Sequence, residues 1–320
     1  MNRVPALACV VILTLSSFAG ADDPSSEPLL KTGRADQALR VLNAEVQNHP
    51  DDAAAYNLLS RIYFQLEIWD TALRMAEKSV VLEPHNSLYQ QWLGRSAGRK
   101  AENSNPFTAF GLARRVKVAF ERAVALDPNN IGARADLAEY YLEAPAFLGG
   151  DRNKARQQGD AILPHDPGLA NYIYGRVEEK QGSGRAEEQY KKAIASSGNS
   201  ARYWVELAYY YRRAGRPQDM EWALAQSLAA PHHDGMPAYD GAFILLRTGR
   251  NFPGAIQMLR QYLNGEELSE DGPAFRAQYL LGELLEKQGD RQGAAGEFRS
   301  ALALAAQFRP ARDALARVSR

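Results

Sequence analysis

The five histidines are the side chains of this sequence best suited to bind a metal or to move a proton near neutral pH. His49, His85 and His165 each stand beside a proline, and the remaining two lie in the stretch PHHDG at residues 231–235. A zinc site needs three or four ligands, and no second ligand recurs near any histidine at helical spacing. We interpret the first three as solvated turn residues. PHHDG could bind a metal, but a turn is the favoured interpretation, so the sequence predicts no metal site.

Other chemical signatures are missing from the sequence. It contains no phosphate-binding loop, no dinucleotide fingerprint, no nucleophile elbow and no paired-histidine motif. Its Glu and Lys residues recur at the spacing of solvent-facing helix surfaces. The sequence therefore predicts a protein that is not an enzyme and that needs no cofactor.

The composition indicates which elements carry these residues. The 320 residues include 51 Ala but only 13 Val, 9 Ile and 5 Thr, so strands would lack the β-branched side chains they prefer. We therefore expect an all-α protein. Lys plus Arg equals Asp plus Glu at 38 each, so no net field attracts nucleic acid or an anionic membrane, although local patches remain possible. Nucleic acid is not an expected partner.

The N-terminal residues have the order of a secretory signal peptide. One basic residue, Arg3, precedes an apolar run at residues 4–15, and small residues follow at Ala19 and Ala21. We expect residues 1–21 to be removed after Ala21, residues 22–28 to form a short linker, and the mature chain to be periplasmic or secreted. The alternative is a retained anchor, although the apolar run is shorter than the roughly 20 residues that span a bilayer.

A repeated pattern organises the rest of the chain. The stretches MAEKSVVLEPHN at residues 75–86 and AFERAVALDPNN at residues 119–130 read as the same amphipathic helix, closed by an acid, Pro and Asn. Pro50 and Pro84 lie 34 residues apart, and a second helix, richer in aromatic residues, precedes each helix that ends at a proline. Because proline cannot continue a helix, the unit is predicted to be helix, turn, helix and proline.

This unit resembles the tetratricopeptide repeat, a 34-residue helical hairpin. The two clearest copies carry the pattern at Trp204, Leu207, Ala208, Tyr211, Gly215 and Pro231, and at Leu281, Gly282, Gly289, Ala294 and Phe298. The resemblance implies an α-solenoid that coils into a right-handed superhelix. We expect about seven to eight repeats over residues 29–309 and a capping helix over residues 310–320.

Small residues in the first helix of each repeat have a packing role. They occur at Gly94, Ala138, Gly175, Ala208 and Gly282. We expect them to let the second helix approach closely, since a larger side chain there would overpack the hairpin.

Two insertions interrupt the 34-residue spacing, at residues 98–111 and 143–151. They carry Phe107, Phe110, Phe147 and Leu148. In one interpretation these side chains face a partner, because insertions in repeat proteins often gather on the binding face. The other interpretation, which we favour on sequence grounds, is that they seal their hairpins.

The resemblance also implies a binding groove, which the first helices line. The positions expected to face it are Asn57, Arg61, Gln91, Arg95, Tyr172, Arg176, Arg202, Tyr209 and Arg212, with the acids Glu139, Glu283 and Glu286 in two of the repeats. Arginine can form bidentate hydrogen bonds to a carboxylate, and Tyr offers rigid contact area, so a peptide with acidic residues is the expected ligand. The alternative is that these arginines pair with neighbouring acids of the chain.

The expected function is a non-catalytic adaptor or scaffold of the cell envelope that holds a protein or peptide partner. Two alternatives stay open: a small-ligand receptor or enzyme with a polar site at residues 209–213 and His232, and a holdase for unfolded chains, which would need an apolar groove. The carboxylate clamp of the family is not reproduced, so recognition of chaperone tails is not expected.

Overall fold

The computed structural model describes residues 27–265 and 267–320. The predicted signal peptide at 1–21 and most of the predicted linker at 22–28 lie outside these residues. No helix within the described ranges is both long enough and apolar enough to cross a membrane.

The described residues form 17 α-helices and one 3-10 turn, with no strand among them, which confirms the all-α helical-repeat architecture. The helices are α1 (Glu27–Lys31), α2 (Ala35–Asn48), α3 (Ala53–Gln65), α4 (Trp69–Leu82), α5 (Ser87–Glu102), α6 (Pro106–Leu126), α7 (Ile131–Glu143), α8 (Arg152–Ile162), α9 (Pro167–Gln181), α10 (Ala186–Ser196), α11 (Ala201–Arg213), α12 (Pro217–Ala229), α13 (Met236–Thr248), α14 (Phe252–Asn264), α15 (Ala274–Lys287), α16 (Arg291–Leu304) and α17 (Arg309–Val318). The 3-10 turn is Ala146–Leu148, between α7 and α8.

The helices divide between two compact units. The middle unit consists of Asn48–Phe64 and Ile68–Ser197, and within it α5 pairs with α6, α7 with α8 and α9 with α10. The terminal unit combines described residues from both ends of the chain, namely 27–47, Gln65–Glu67 and Gly198–Arg320. In it α11 pairs with α12, α13 with α14 and α15 with α16.

The Pro-Asn stretches act as helix boundaries. In the two stretches that repeat, the closing Asn caps the next helix: Asn86 accepts hydrogen bonds from the amides of Leu88 and Tyr89, and Asn130 accepts one from Ala133. These side chains satisfy amides that the first helical turn leaves unpaired. The repeated sequence is thus a repeated start signal for the following helix.

The small residues allow close helix packing, as the sequence predicts. A Cβ built on Gly94 would lie closer than 3.0 Å to the ring of Phe120, and one built on Gly282 would meet Phe298 in the same way. A Cβ on Gly175 would lie 3.3 Å from the Tyr190 ring. In these three hairpins an aromatic ring of the second helix therefore occupies the space above the small residue.

The two insertions pack differently from each other. The first extends α6 to 21 residues, and Asn105 caps it by accepting from the amide of Thr108. The second forms the 3-10 turn, and Leu148 in it is buried. The sealing interpretation is thus right for Leu148, whereas the three phenylalanines of the insertions are exposed.

The N-terminal segment packs inside the terminal unit. Leu30 is buried, and the carboxylate of Asp36 accepts a hydrogen bond from the amide of Ala306 at 3.0 Å. Gly33 has a positive φ of 68°, and a Cβ there would meet the backbone of Ala274 closer than 3.0 Å. Glycine is needed at this position both for its conformation and for the close approach.

Further contacts tie the loop after α3 to α15 in the same unit. Arg276 donates to the carbonyl of Gln65 at 2.9 Å and pairs with Glu67 at 2.8 Å. Gln65 donates in turn to the carbonyl of Glu270 at 3.0 Å. The terminal unit is thus stabilised by contacts between residues more than 200 positions apart in the chain.

Candidate functional site

The nine groove positions that the sequence predicts divide between the units. The six in the middle unit are buried, and they are Asn57, Arg61, Gln91, Arg95, Tyr172 and Arg176. The three on α11 in the terminal unit, Arg202, Tyr209 and Arg212, are partly exposed. The three side chains on α11 are therefore more accessible to a partner than the six in the middle unit.

In the middle unit, Arg95 of α5 forms a buried ion pair with Asp136 of α7. Arg95 Nε lies 2.6 Å from Asp136 Oδ2, and Gln91 Nε2 donates to the same oxygen at 2.8 Å. Burial raises the pKa of Asp136, while the charge of Arg95 and the hydrogen bonds from Arg95 and Gln91 lower it. Two of the predicted groove residues thus share one carboxylate of the chain.

Two repeats after Arg95, Arg176 of α9 pairs with two acids of α7. Arg176 Nη1 lies 3.0 Å from Glu139 Oε1, and Arg176 Nη2 lies 2.6 Å from Glu143 Oε1. Its Nη1 also donates to the Tyr172 hydroxyl at 3.1 Å. Burial lowers the pKa of Arg176, but Glu139, Tyr172 and Glu143 raise it, so the guanidinium is held in its charged form.

These ion pairs correct the expectation of an open basic groove in the middle unit. The acids come from α7, whose groove position holds Glu139, with Asp136 and Glu143 one turn away on the same stripe. Sequence analysis identified Glu139 as an acid in the groove but missed Asp136 and Glu143. Their i−3 and i+4 spacing from Glu139 is the signal that could have found them.

On α3 and α5 of the middle unit, two buried polar groups have no hydrogen-bond partner among the described residues. The side chain of Asn57 is 0% exposed, yet neither its amide nitrogen nor its amide oxygen has a hydrogen-bond partner. The indole N–H of Trp92 is also buried and unpaired. The guanidinium carbons of Arg61 and Arg95 lie 5.6 and 4.9 Å from the Trp92 ring centroid. A buried amide without a partner costs about 1–3 kcal/mol, so these groups are the least satisfied part of the site.

On α11 the aromatic and basic residues contact each other and lie near acids. The guanidinium carbon of Arg212 lies 5.4 Å from the Tyr209 ring centroid. Burial raises the pKa of Tyr209, and the charges of Asp240 and Glu206 raise it further. Burial also raises the pKa of Asp240, with Glu206 and Asp271 adding to the effect. This part of the predicted groove is thus of mixed charge.

His232, which the sequence associates with an alternative polar site, contacts other residues. Its Nδ1 lies 3.2 Å from the carbonyl of Ala230, and its Nε2 lies 3.6 Å from Glu267. The neighbouring Asp234 accepts a hydrogen bond from the amide of Met236, the first residue of α13. Within the described ranges, no three His, Cys, Asp or Glu side chains are grouped as metal ligands.

Comparison with known proteins gives one family. The tetratricopeptide repeat model matches residues 29–86 and 241–308. Yeast Tom70 superposes with a TM-score of 0.53 at 13% identity, over 96% of this chain and 66% of Tom70. A tetratricopeptide repeat protein from Thermus thermophilus superposes with a TM-score of 0.47 at 18% identity, over 57% of this chain and 97% of its own length. At 13% identity, the likeness to Tom70 shows a similar fold and nothing more.

Proposed function

This chain is a tetratricopeptide repeat protein, and we propose that it is a non-catalytic scaffold of the cell envelope that holds a protein or peptide partner. Tetratricopeptide repeats build protein-interaction surfaces, which supports the scaffold role. The envelope location rests on the signal-like N terminus. Mass spectrometry of protein recovered from the envelope should then find an N terminus at residue 22; an intact N terminus would contradict the cleavage.

The observation that carries the proposal is the unsatisfied Asn57 in the middle unit, where Arg95 and Arg176 are charge-compensated. An amide side chain can donate to one peptide carbonyl and accept from one peptide N–H, and the indole of Trp92 can donate to another carbonyl. A polypeptide backbone supplies both groups in an extended segment. Because Asn57 and Trp92 are buried, binding there requires local opening of the unit.

The acidic preference of the partner rests on α11 rather than on the middle unit. Arg202 and Arg212 are partly exposed, and Tyr209 lies between them along the helix. A partner carboxylate can approach Arg212 over the Tyr209 ring, whereas Arg95 and Arg176 already pair with acids of the chain. Polar residues at these positions disfavour the holdase, which needs an apolar groove.

The test is photo-crosslinking in cells. Tyr209 is replaced by benzoylphenylalanine, and Lys191, an exposed residue of the second helix α10, is replaced as the control position. We expect one discrete protein adduct from position 209 and none from position 191. Arg212→Glu should lower the adduct yield about tenfold, because it removes a charge-assisted contact.

Arg213→Glu is the matched control, since it makes the same charge change on the adjacent exposed residue. Its adduct yield should match that of the parent. Equal yields from positions 209 and 191, or equal loss with Arg212→Glu and Arg213→Glu, would contradict partner binding at α11.

A further inference from the structure

One surface outside the predicted groove remains unexplained. We call it the aromatic-basic face, and it consists of Phe107, Phe110, Arg114, Val118 and Arg122 of α6 together with Phe147 of the 3-10 turn. The α6 members recur every three to four residues, so they lie on one side of the helix. The opposite side of α6 packs into the core of the middle unit through Ala109, Leu112, Val116 and Phe120. The helix is thus amphipathic with an uncovered second face.

The phenylalanines of this face are exposed far beyond what packing within the chain requires. Phe107 is 93% exposed, Phe147 77% and Phe110 44%. The rings of Phe110 and Phe147 stack at a centroid distance of 6.3 Å, so the two insertions meet here. Val118 extends the apolar surface along α6 and is 64% exposed.

The backbone around Phe147 is held in place by its own hydrogen bonds. Gly149 donates to the carbonyl of Ala146, and Gly150 donates to that of Pro145. The hydroxyl of Tyr140 donates to the carbonyl of Leu148 at 2.9 Å, which fixes the turn to α7. The exposed Phe147 ring therefore lies on a turn that hydrogen bonds hold in place.

The same face carries positive charge that no acid of the described residues neutralises through an ion pair. Arg114 lies over Phe110, with its guanidinium carbon 5.5 Å from the ring centroid, and Arg122 is exposed two turns further along α6. The neighbouring Arg115 differs, since it pairs with Glu77. The only acid on α6 is Glu121, which accepts from the Tyr141 hydroxyl. Exposed aromatic rings and two unpaired arginines thus occupy one face.

The size and shape of the face favour one kind of partner. With about 200 Å² for a whole Phe side chain, the three rings expose roughly 400 Å², about half of the 800 Å² that one partner contributes to a typical stable protein interface. A ring that is 93% exposed is also not part of a groove that could receive a helix. A lipid surface accepts single rings at the headgroup boundary without complementary shape, and anionic lipids attract arginine.

We propose that the aromatic-basic face docks the protein onto an anionic phospholipid surface, with the three rings in the interface and Arg114 and Arg122 at the headgroups. This surface shares no residue with the groove positions, so the proposal stands or falls independently of the partner site on α11. Phenylalanine supplies the apolar contact, and the arginines supply the preference for anionic lipid.

The first test is sedimentation of the full chain with vesicles of phosphatidylcholine alone and of phosphatidylcholine with phosphatidylglycerol. We expect binding to the anionic vesicles that weakens as salt is raised. Phe107→Ser with Phe147→Ser should lower the partition coefficient about tenfold or more, since both rings lose their apolar contact. Arg114→Gln with Arg122→Gln should abolish the preference for anionic lipid. Val81→Ser is the matched control, because Val81 is 73% exposed on α4 of the same unit.

A second readout reports on the site itself, because the apolar run at residues 4–15 is common to all variants. Phe147→Cys in a Cys9→Ser chain is labelled with bimane, and Val81→Cys in the same chain is the control. The label at position 147 should shift to the blue on anionic vesicles and be quenched by lipids with brominated chains, while the label at position 81 should not change. No shift at position 147 would overturn the proposal. So would a soluble dimer that Phe107→Ser with Phe147→Ser dissociates, since the face would then belong to a second copy.

Discussion

At the residue scale, the carboxylates beside the buried arginines neutralise their charge. Arg95 and Arg176 occupy the groove positions of the repeats before and after the one that begins with α7, and α7 supplies acids to both. A buried guanidinium that is paired and hydrogen-bonded is tolerated, whereas the same group without its acid is strongly destabilising. The pairs therefore reduce the attraction of the middle unit for an external acid.

Asp136→Asn should destabilise the protein by about 3–5 kcal/mol, because Arg95 would remain buried without its counter-charge. Urea unfolding measures the free-energy change. Asp70→Asn is the control: Asp70 pairs with Lys100 but its side chain is 68% exposed, so the expected loss is below about 1 kcal/mol.

A double substitution separates the ion pair from the packing around it. Arg95→Met with Asp136→Leu removes both charges and should recover much of the stability that Asp136→Asn loses. Equal stability of Asp136→Asn and Asp70→Asn would contradict the account of a buried pair.

At the element scale, three of the hairpins depend on a small residue beneath an aromatic ring. Gly282 on α15 lies beneath Phe298 of α16, and Gly94 on α5 lies beneath Phe120 of α6. The same arrangement recurs at Gly175 and Tyr190. Because the ring fills the space that a side chain would take, the identity of one residue sets the helix separation.

Gly282→Ala should destabilise the protein by about 1–3 kcal/mol, since the added methyl group would overlap the Phe298 ring. Gly296→Ala is a matched control on the partner helix α16, because a Cβ there meets nothing within 4 Å. Alanine is the better helix former, so Gly296→Ala should stabilise by about 0.5–1 kcal/mol. Thermal or urea unfolding of both variants checks the opposite signs, and two losses of similar size would contradict the packing account.

At the scale of the whole molecule, the terminal unit is discontinuous in sequence. Residues 27–47 belong to the same compact unit as Gly198–Arg320, and buried Leu30 is part of it. Within a repeat array a helix contacts its sequence neighbours, whereas here the N-terminal helices also contact residues near Ala274 and Ala306. The stability of α15 should therefore depend on α1 despite their separation in sequence.

Leu30→Ala tests this dependence. We expect a loss of about 2–5 kcal/mol in the terminal unit, typical of truncating a buried leucine. Hydrogen exchange should accelerate in α1, α2 and α15, with a smaller change in α9 and α10. Ile162→Ala, which truncates a fully buried side chain of the middle unit, should give the reverse pattern. Acceleration confined to α1 and α2 with Leu30→Ala would show that the N-terminal helices do not stabilise α15.

The sequence by itself determined the helical repeat, since its signals act within a few residues of one another. Alanine content, proline boundaries and the capping Asn86 and Asn130 all express local geometry. Only the tertiary structure decided that Asp136 pairs with Arg95 and that Phe107 is exposed while Leu148 is buried. The ion pair joins residues 41 positions apart, and the exposure of a side chain depends on what packs above it. Helical periodicity therefore predicts neither the pairing nor the exposure. The packing of residues 27–47 with residues 198–320 in one unit has the same cause, because it depends on how successive repeats add up rather than on any one of them.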